Sequence, residues 1–144
     1  MSDLNKHPVI QQYIEWNTFG KTLNMDFFIH SPGVVTYRMS VREAHLATPK
    51  AAHGGAIAAL IDAALGVAAL SAVCEQQKVV ATVSLNVNYL SPAFIGKELI
   101  AEAKVVRKGN RILFTETEVS DSDGNLVAKA SATMNAYPME KAMI

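Results

Sequence analysis

A single cysteine, Cys74, occurs in the chain of 144 residues. One thiol excludes an internal disulfide and suits a reducing compartment. No neighbour in the sequence marks it as an activated thiolate, so helix packing is its expected role. An excess of one charge is missing too, because 13 basic side chains balance 13 acidic ones. A general nucleic-acid binder would normally carry a basic domain, although balance leaves room for a few basic residues round a phosphate. No apolar signal segment follows the opening Met-Ser-Asp-Leu-Asn-Lys. The longest apolar stretch, Ala51–Cys74, is rich in alanine and interrupted by Asp62 and Gly66. A central carboxylate is costly in lipid, so no membrane insertion is expected. Repeats, linkers and low-complexity tails are absent. The expectation is one soluble cytoplasmic domain over residues 1–144, with half its residues apolar and available for a core.

What the chain does have is one long helix-forming stretch among alternating segments. Residues from Gly54 to about Cys74 are dominated by Ala and Leu, both strong helix formers. Before them, Val9–Phe19 reads as a short N-terminal helix, started by Pro8 and stopped by Gly20. Leu23–Ile29 reads as a strand, Ser31-Pro32-Gly33 as a turn, and Val34–Arg42 as a strand with Val35, Tyr37, Met39 and Val41 on one face. His45–Ala52 is then a loop. Val79–Leu90 alternates again, with Val79, Ala81, Val83, Leu85, Val87 and Tyr89 on one side and Val80, Thr82, Ser84, Asn86 and Asn88 on the other. Leu99–Val106, Ile112–Val119 and Leu126–Tyr137 complete the strands. Turns at Lys108–Asn110 and Asp121–Asn125 make the later strands antiparallel hairpins. Residues after Pro138 are expected to fray. A sheet with one apolar face needs a cover, and the long helix can supply it, which predicts an α+β domain.

Asp62 is the only charged residue between Lys50 and Glu75. A carboxylate in an apolar helix costs several kcal/mol, roughly 2–7 on polar-group scales, unless it is solvated or paired. It can deprotonate a water or attack a carbonyl carbon; it can equally be tied to neighbouring hydroxyls. At the start of the same helix, His53, Gly54 and Gly55 surround unpaired N–H groups and a partial positive charge. A carbonyl oxygen docked there would be polarised. The other reading is that the glycines make a tight turn and allow close packing. Gly54 and Asp62 are eight residues apart, about 12 Å along a helix. One carbonyl cannot touch both on one straight helix, so joint action requires two antiparallel helices from two subunits.

His53 is expected to orient the turn by a hydrogen bond. His45, His53 and Asp62 lack any standard ligand spacing, so no metal is expected. Thr82 or Ser84 can help hold a water, or can simply be solvated. Arg107, Lys108 and Arg111 cluster at a turn, where solvation and phosphate recognition are both open.

The segment His53-Gly54-Gly55 through Asp62, followed by Asn86-Val87-Asn88-Tyr89-Leu90-Ser91-Pro92-Ala93, resembles hotdog-fold acyl-CoA thioesterases, most of all the phenylacetate-pathway group. The likeness continues through Lys108-Gly109-Asn110-Arg111 and Asp123-Gly124-Asn125-Leu126-Val127-Ala128, covering nearly the whole chain in order. The resemblance implies a curved antiparallel sheet wrapped round the central helix. It implies homodimers that share active sites, often assembled as homotetramers. The reaction it implies is hydrolysis of an acyl-CoA to a carboxylic acid and coenzyme A, which is part of the substrate, with no separate cofactor. Under it, Gly54 matches the backbone donor, with Gly55 and His53 beside it. Asp62 of the opposing subunit matches the general base or nucleophile, and Thr82 the residue that positions water. Ser91 and Pro92 match the strand-end turn near coenzyme A; Lys108 and Arg111 match the basic turn near its phosphates.

One position departs from that pattern. Several relatives carry an asparagine two residues after the histidine matching His45, where this chain has Ala47, which cannot replace the amide's hydrogen bonds. The acyl pocket, suited to an aromatic or a medium- to long-chain group, has Phe27, Phe28, Leu60, Leu65 and Phe94 as candidate lining. Two other functions are carried forward. One is a noncatalytic acyl-CoA-binding or scaffold protein, favoured by Ala47. The other is a hotdog hydratase or dehydratase, whose usual histidine-led motif the HGG arrangement does not resemble. Thioesters on acyl-carrier protein are a further substrate option.

Overall fold

The computed structural model describes residues 3–144. Its elements are α1 (Pro8–Trp16), α2 (Thr18–Thr22), β1 (Met25–Ser31), β2 (Val34–Ser40), α3 (Gly54–Val73), β3 (Lys78–Tyr89), β4 (Glu98–Lys108), β5 (Ile112–Asp121) and β6 (Leu126–Pro138). The six strands form one sheet in the order β1-β2-β4-β5-β6-β3. Every ladder in it is antiparallel. The sheet curls round α3, as the α+β hotdog expectation required.

α3 approaches the sheet closely because the facing strands are lined with small residues. Ala101 and Ala103 on β4, and Ala128, Ala130, Ala132 and Ala136 on β6, are all buried against it. Leu60, Ile61, Leu65 and Leu70 of the helix fill the space between, together with Tyr37, Met39, Leu99, Leu113 and Met134 from the strands. Burying each such side chain stabilises the fold by about 1.5–3 kcal/mol. By length and composition α3 could cross a membrane, but 67% of its apolar window is buried inside the fold. Its half-exposed positions are small ones, Gly54, Ala58, Ala59, Ala63, Gly66 and Ala72, with Gly55 and Asp62 exposed among them.

Three local expectations change. The predicted helix Val9–Phe19 is two helices. Asn17 leaves helical geometry, its side chain caps α2 by accepting from Gly20 N–H at 3.0 Å, and its amide donates to the Tyr13 and Tyr37 hydroxyls. Gly20 therefore sits inside α2 rather than ending it, since a Cβ there would lie 2.3 Å from the Asn17 amide nitrogen. The first strand starts at Met25, not Leu23, because Leu23 closes α2 and Asn24 takes a left-handed turn with φ 59°. The segment after Pro138 forms a 3-10 helix, Met139–Met143, with Met139 packed against the core.

The largest difference lies in β3. The register with β6 slips between Thr82 and Ser84, so that Thr82 pairs with Met134 and Ser84 with Thr133. A one-residue slip exchanges the faces of everything beyond it. Thr82 thereby shares the helix-facing side with Leu85, Val87 and Tyr89, whereas plain alternation put them on opposite sides. Ser84 turns with Thr133 to the outer face.

Candidate active site

The helix N-terminus is built by His53. Its backbone is extended (φ −62°, ψ 137°), and its ring Nδ1 accepts the Gly55 N–H at 2.7 Å. Its carbonyl accepts from Ala56 N–H at 2.9 Å. These bonds answer two of the orphan donors of a helix start. The Gly54 N–H has no acceptor among the described residues. The two glycines therefore serve different ends. A Cβ on Gly55 would lie 2.9 Å from His53 Nδ1, so the cap itself requires glycine there. A Cβ on Gly54 would meet only the Tyr89 ring, at 3.4 Å, an ordinary contact. Neither glycine has a positive φ, but the close approach of the His53 ring to Gly55 and the i→i+3 bond from Ala56 N–H to the His53 carbonyl fit the reading of a tight, closely packed turn as well.

Two supports hold this terminus. Tyr89, at the end of β3, donates its hydroxyl to the Gly54 carbonyl at 2.9 Å. Behind the loop, buried His45 accepts from Arg42 N–H at Nδ1, and its Nε2 lies 2.8 Å from the Leu23 carbonyl. That network assigns the proton to Nε2. The His45 carbonyl in turn accepts from His53 N–H at 2.7 Å. The loop at Ala47 is held by main chain and one hydroxyl: Leu46 bridges Ala52, Ala47 N–H donates to the Ala51 carbonyl at 3.0 Å, and Thr48 Oγ1 accepts from Ala51 N–H at 3.1 Å. An amide at position 47 is not needed to close it.

Asp62 lies on the exposed side of α3. Its Oδ1 accepts the Thr82 hydroxyl at 2.7 Å. Since that hydroxyl spends its proton on Asp62, its oxygen is left to accept from a water. The carboxylate keeps a second oxygen for a proton. Such a pair has the groups to hold one water and to take its proton. It opens onto a cleft of about 240 Å³ lined by Tyr13 and Trp16 of α1, Gly66 and Leu70 of α3, and Met134 and Tyr137 of β6, among others. Burial pushes the Tyr13 phenol up, opposed by its bond to Tyr37, and the negative charge of Asp62 adds to the rise.

The candidate pocket residues lie elsewhere. Leu60 and Leu65 are fully buried core, Phe27 stacks between Tyr13 and Tyr37, and Phe28 and Phe94 are exposed. None of them lines the cleft beside Asp62. Sequence reasoning missed Tyr13, Trp16 and Tyr137 because their elements lie far apart in the chain. Tyr89 was visible as a strand residue but not as a buttress.

The other expected site residues stand at opposite ends of α3. Ser91 donates to the Leu126 carbonyl at 2.7 Å, and Pro92 precedes Ala93, whose carbonyl accepts from Ala52 N–H near the helix start. Lys108 instead reaches the far end, donating Nζ to the Ala72 carbonyl at 2.8 Å. Arg111 is exposed on the same hairpin. One chain does not bring these groups together, nor Gly54 with Asp62, because α3 is continuous over its 20 residues, about 30 Å. Cys74 is buried at the end of α3, where burial and Glu75 raise its thiol. No cluster of metal-ligating side chains occurs among the described residues.

Comparisons agree with this architecture. The Thioesterase superfamily model matches residues 50–128. Acyl-coenzyme A thioesterase 13 of Homo sapiens is 29% identical over 105 residues, covering 72% of this chain and 73% of that protein. The E. coli PaaI protein from the phenylacetic acid degradation operon superposes with a TM-score of 0.83 at 22% identity, covering 94% of this chain and 96% of the other. The smu.793 protein of Streptococcus mutans UA159, bound to acetyl CoA, superposes with a TM-score of 0.73 at 26% identity, covering 80% and 90% of the two chains. The match extends over the helix, its N-terminal loop and the strands that carry the site; this chain belongs to the thioesterase superfamily.

Proposed function

We propose that this thioesterase hydrolyses an acyl-coenzyme A, with Asp62 as the group that activates water. The observation that carries the reading is the Asp62–Thr82 pair at the mouth of an apolar cleft. A water accepted by the carboxylate and donating to Thr82 Oγ1 presents a lone pair to the carbonyl carbon. Asp62 takes a proton as the water's oxygen bonds to that carbon. The resulting oxyanion is stabilised by the Gly54 N–H and the positive end of α3. Collapse breaks the C–S bond, and the proton held on Asp62 goes to the departing coenzyme A thiolate. The alternative use of Asp62, direct attack to form an anhydride, needs the same residues.

The Gly54 donor in this scheme comes from the opposing subunit, because about 12 Å of helix separates it from Asp62 within one chain. A homodimer is supported by β3, which pairs on one side only and leaves an edge of 12 residues, Lys78–Tyr89, without a neighbour. Such an edge is a ready template for a second chain. A homotetramer follows from the same resemblance. Ser91, Pro92, Lys108 and Arg111 are assigned to coenzyme A, with Lys108 exchanging its Ala72 contact for phosphate. The human relative's name and the acetyl CoA bound to the S. mutans protein support the choice of carrier. A cytoplasmic location fits the lone buried thiol.

Free-thiol release from a panel of phenylacetyl, hydroxybenzoyl, short, medium and long acyl-CoA esters tests the reading, with Asp62→Asn beside the native chain. Release that depends on Asp62 is expected. Binding of acyl-CoA without release would instead favour the noncatalytic reading, and an added or lost water in the recovered thioester would favour a hydratase.

A further inference from the structure

The cleft beside Asp62 is lined in part by a residue without a side chain, Gly66. Gly66 follows Asp62 by one helical turn on the same face of α3, and both line the cleft. An ideal Cβ built on Gly66 meets no heavy atom within 4 Å, so the missing side chain opens directly onto the cleft. Glycine in a helix interior is costly, and Gly66 has no positive φ or close neighbour that requires it. Trp16, 43% exposed at the end of α1, lines the same cleft. The carboxylate and Thr82 hydroxyl mark one end of the space, and the remaining lining is mostly apolar.

We propose that Gly66 and Trp16 set the length of acyl group the enzyme accepts, Gly66 by leaving depth in the cleft and Trp16 by closing its outer side. The inference rests on the thioesterase reading above and assigns specificity within it. An apolar cavity of about 150 Å³ holds benzene, so the volume of about 240 Å³ takes a single ring with a short stem, or an alkyl chain of similar bulk. A longer chain must pass Trp16 to leave the cleft. A side chain at position 66 shortens the space, and removal of the indole opens it.

The test is kcat/KM over a graded series of straight-chain acyl-CoA esters, from acetyl to decanoyl, plus phenylacetyl-CoA. The dimeric or larger native enzyme is compared with Gly66→Ala, Gly66→Leu and Trp16→Ala, and the melting temperature of each is recorded. Alanine is the better helix former, so Gly66→Ala is expected to fold even where the leucine variant does not. In Gly66→Ala the ratio of medium-chain to acetyl turnover falls about tenfold, the scale of one methylene in an apolar pocket. The leucine variant extends the loss to phenylacetyl-CoA, and Trp16→Ala moves the optimum to longer chains. Equal losses at every chain length, or an unchanged profile, would overturn the proposal. Should the native chain release thiol from no ester, the thioesterase reading falls by itself. Competition binding of nonhydrolysable acyl-CoA thioethers then decides the cleft: length-dependent weakening in Gly66→Ala supports it, and length-independent binding overturns it.

Discussion

Thr82 donates its hydroxyl to Asp62 at 2.7 Å across 20 positions of sequence, from the strand next along the chain to the centre of α3. The contact exists because the register slip before Ser84 turns Thr82 toward the helix. If this pair holds the attacking water, Asp62→Asn lowers kcat by at least about 100-fold, the usual scale of a general base. The melting temperature stays near that of the native chain, since Asp62 is exposed. Thr82→Val removes one charge-assisted hydrogen bond and costs about tenfold in kcat, while Thr82→Ser restores most of it. Steady-state kinetics beside thermal unfolding check both.

The proposed oxyanion donor, the Gly54 N–H, is expected to be removable without disturbing the helix. Gly54 is the first residue of α3 and His53 is already extended at φ −62°, ψ 137°, the conformation favoured before proline. Proline is favoured at the first helical position. Gly54→Pro therefore removes the single free N–H while keeping the fold. The expected loss in kcat is about 100- to 1000-fold, as for removal of other oxyanion donors. Circular dichroism and turnover on the same preparation separate the two effects.

His53 is assigned to the cap rather than to the substrate. His53→Ala leaves Gly55 N–H without its acceptor and destabilises the fold by about 1 kcal/mol. Asn caps helices well, so His53→Asn recovers stability. If it recovers turnover too, orientation is the role; stability restored with turnover still lost would make the imidazole a contact of the substrate. Melting temperatures and kcat of the three proteins decide it.

Lys108 and Arg111 share one basic turn, but their surroundings differ. Lys108 binds the carbonyl end of α3 at Ala72, where a cation contributes about 0.3–1 kcal/mol. Lys108→Ala should lower the melting temperature as well as raise KM for coenzyme A esters. Arg111→Ala should raise KM alone. A KM unchanged in both would put the phosphates elsewhere.

Acid stability has an identifiable contributor at the β5–β6 hairpin. The side-chain amide of Asn125, with backbone N–H groups of Asn125 and Asp123, holds the Asp121 carboxyl below the usual carboxylate range. A lowered native pKa means the unfolded chain binds the proton first as pH falls. The contribution is therefore complete above about pH 4, the unfolded Asp value, and is lost as pH drops through the lower native value. Asp121→Asn should lower the melting temperature at pH 7 and flatten its fall below pH 4. A difference between the proteins that stays constant across this range would contradict it.

Much of this was legible because local chemistry and tertiary demand coincide. The Ala- and Leu-rich stretch after Gly54, the turns at Gly109 and Gly124 and the alternation of β2 each specify their element without outside help. The lone acid in α3 also stood out by itself. The face of Thr82 was not legible: it depends on one bulged residue, Val83, whose β-branched side chain looks like any other in a strand. The cleft was misread for a related reason. Large apolar residues suggest a lining, but Leu60 and Leu65 are buried core, while the cleft is lined in part by the residue with no side chain, Gly66. Helix α1 contributes its aromatics only after Asn17 has turned the chain.

The claim that one site draws on two subunits is tested by complementation. Asp62→Asn and Gly54→Pro chains are each expected to be nearly inactive alone, for different reasons. Mixed in equal amounts after unfolding and refolding, half the dimers carry one defect on each chain. If Asp62 of one subunit acts with Gly54 of the other, each mixed dimer has one intact site and one doubly defective site. Thiol release then recovers to about a quarter of the native rate, as two-fold symmetry requires. Refolding that yields mixed dimers with no recovered release would contradict the shared site.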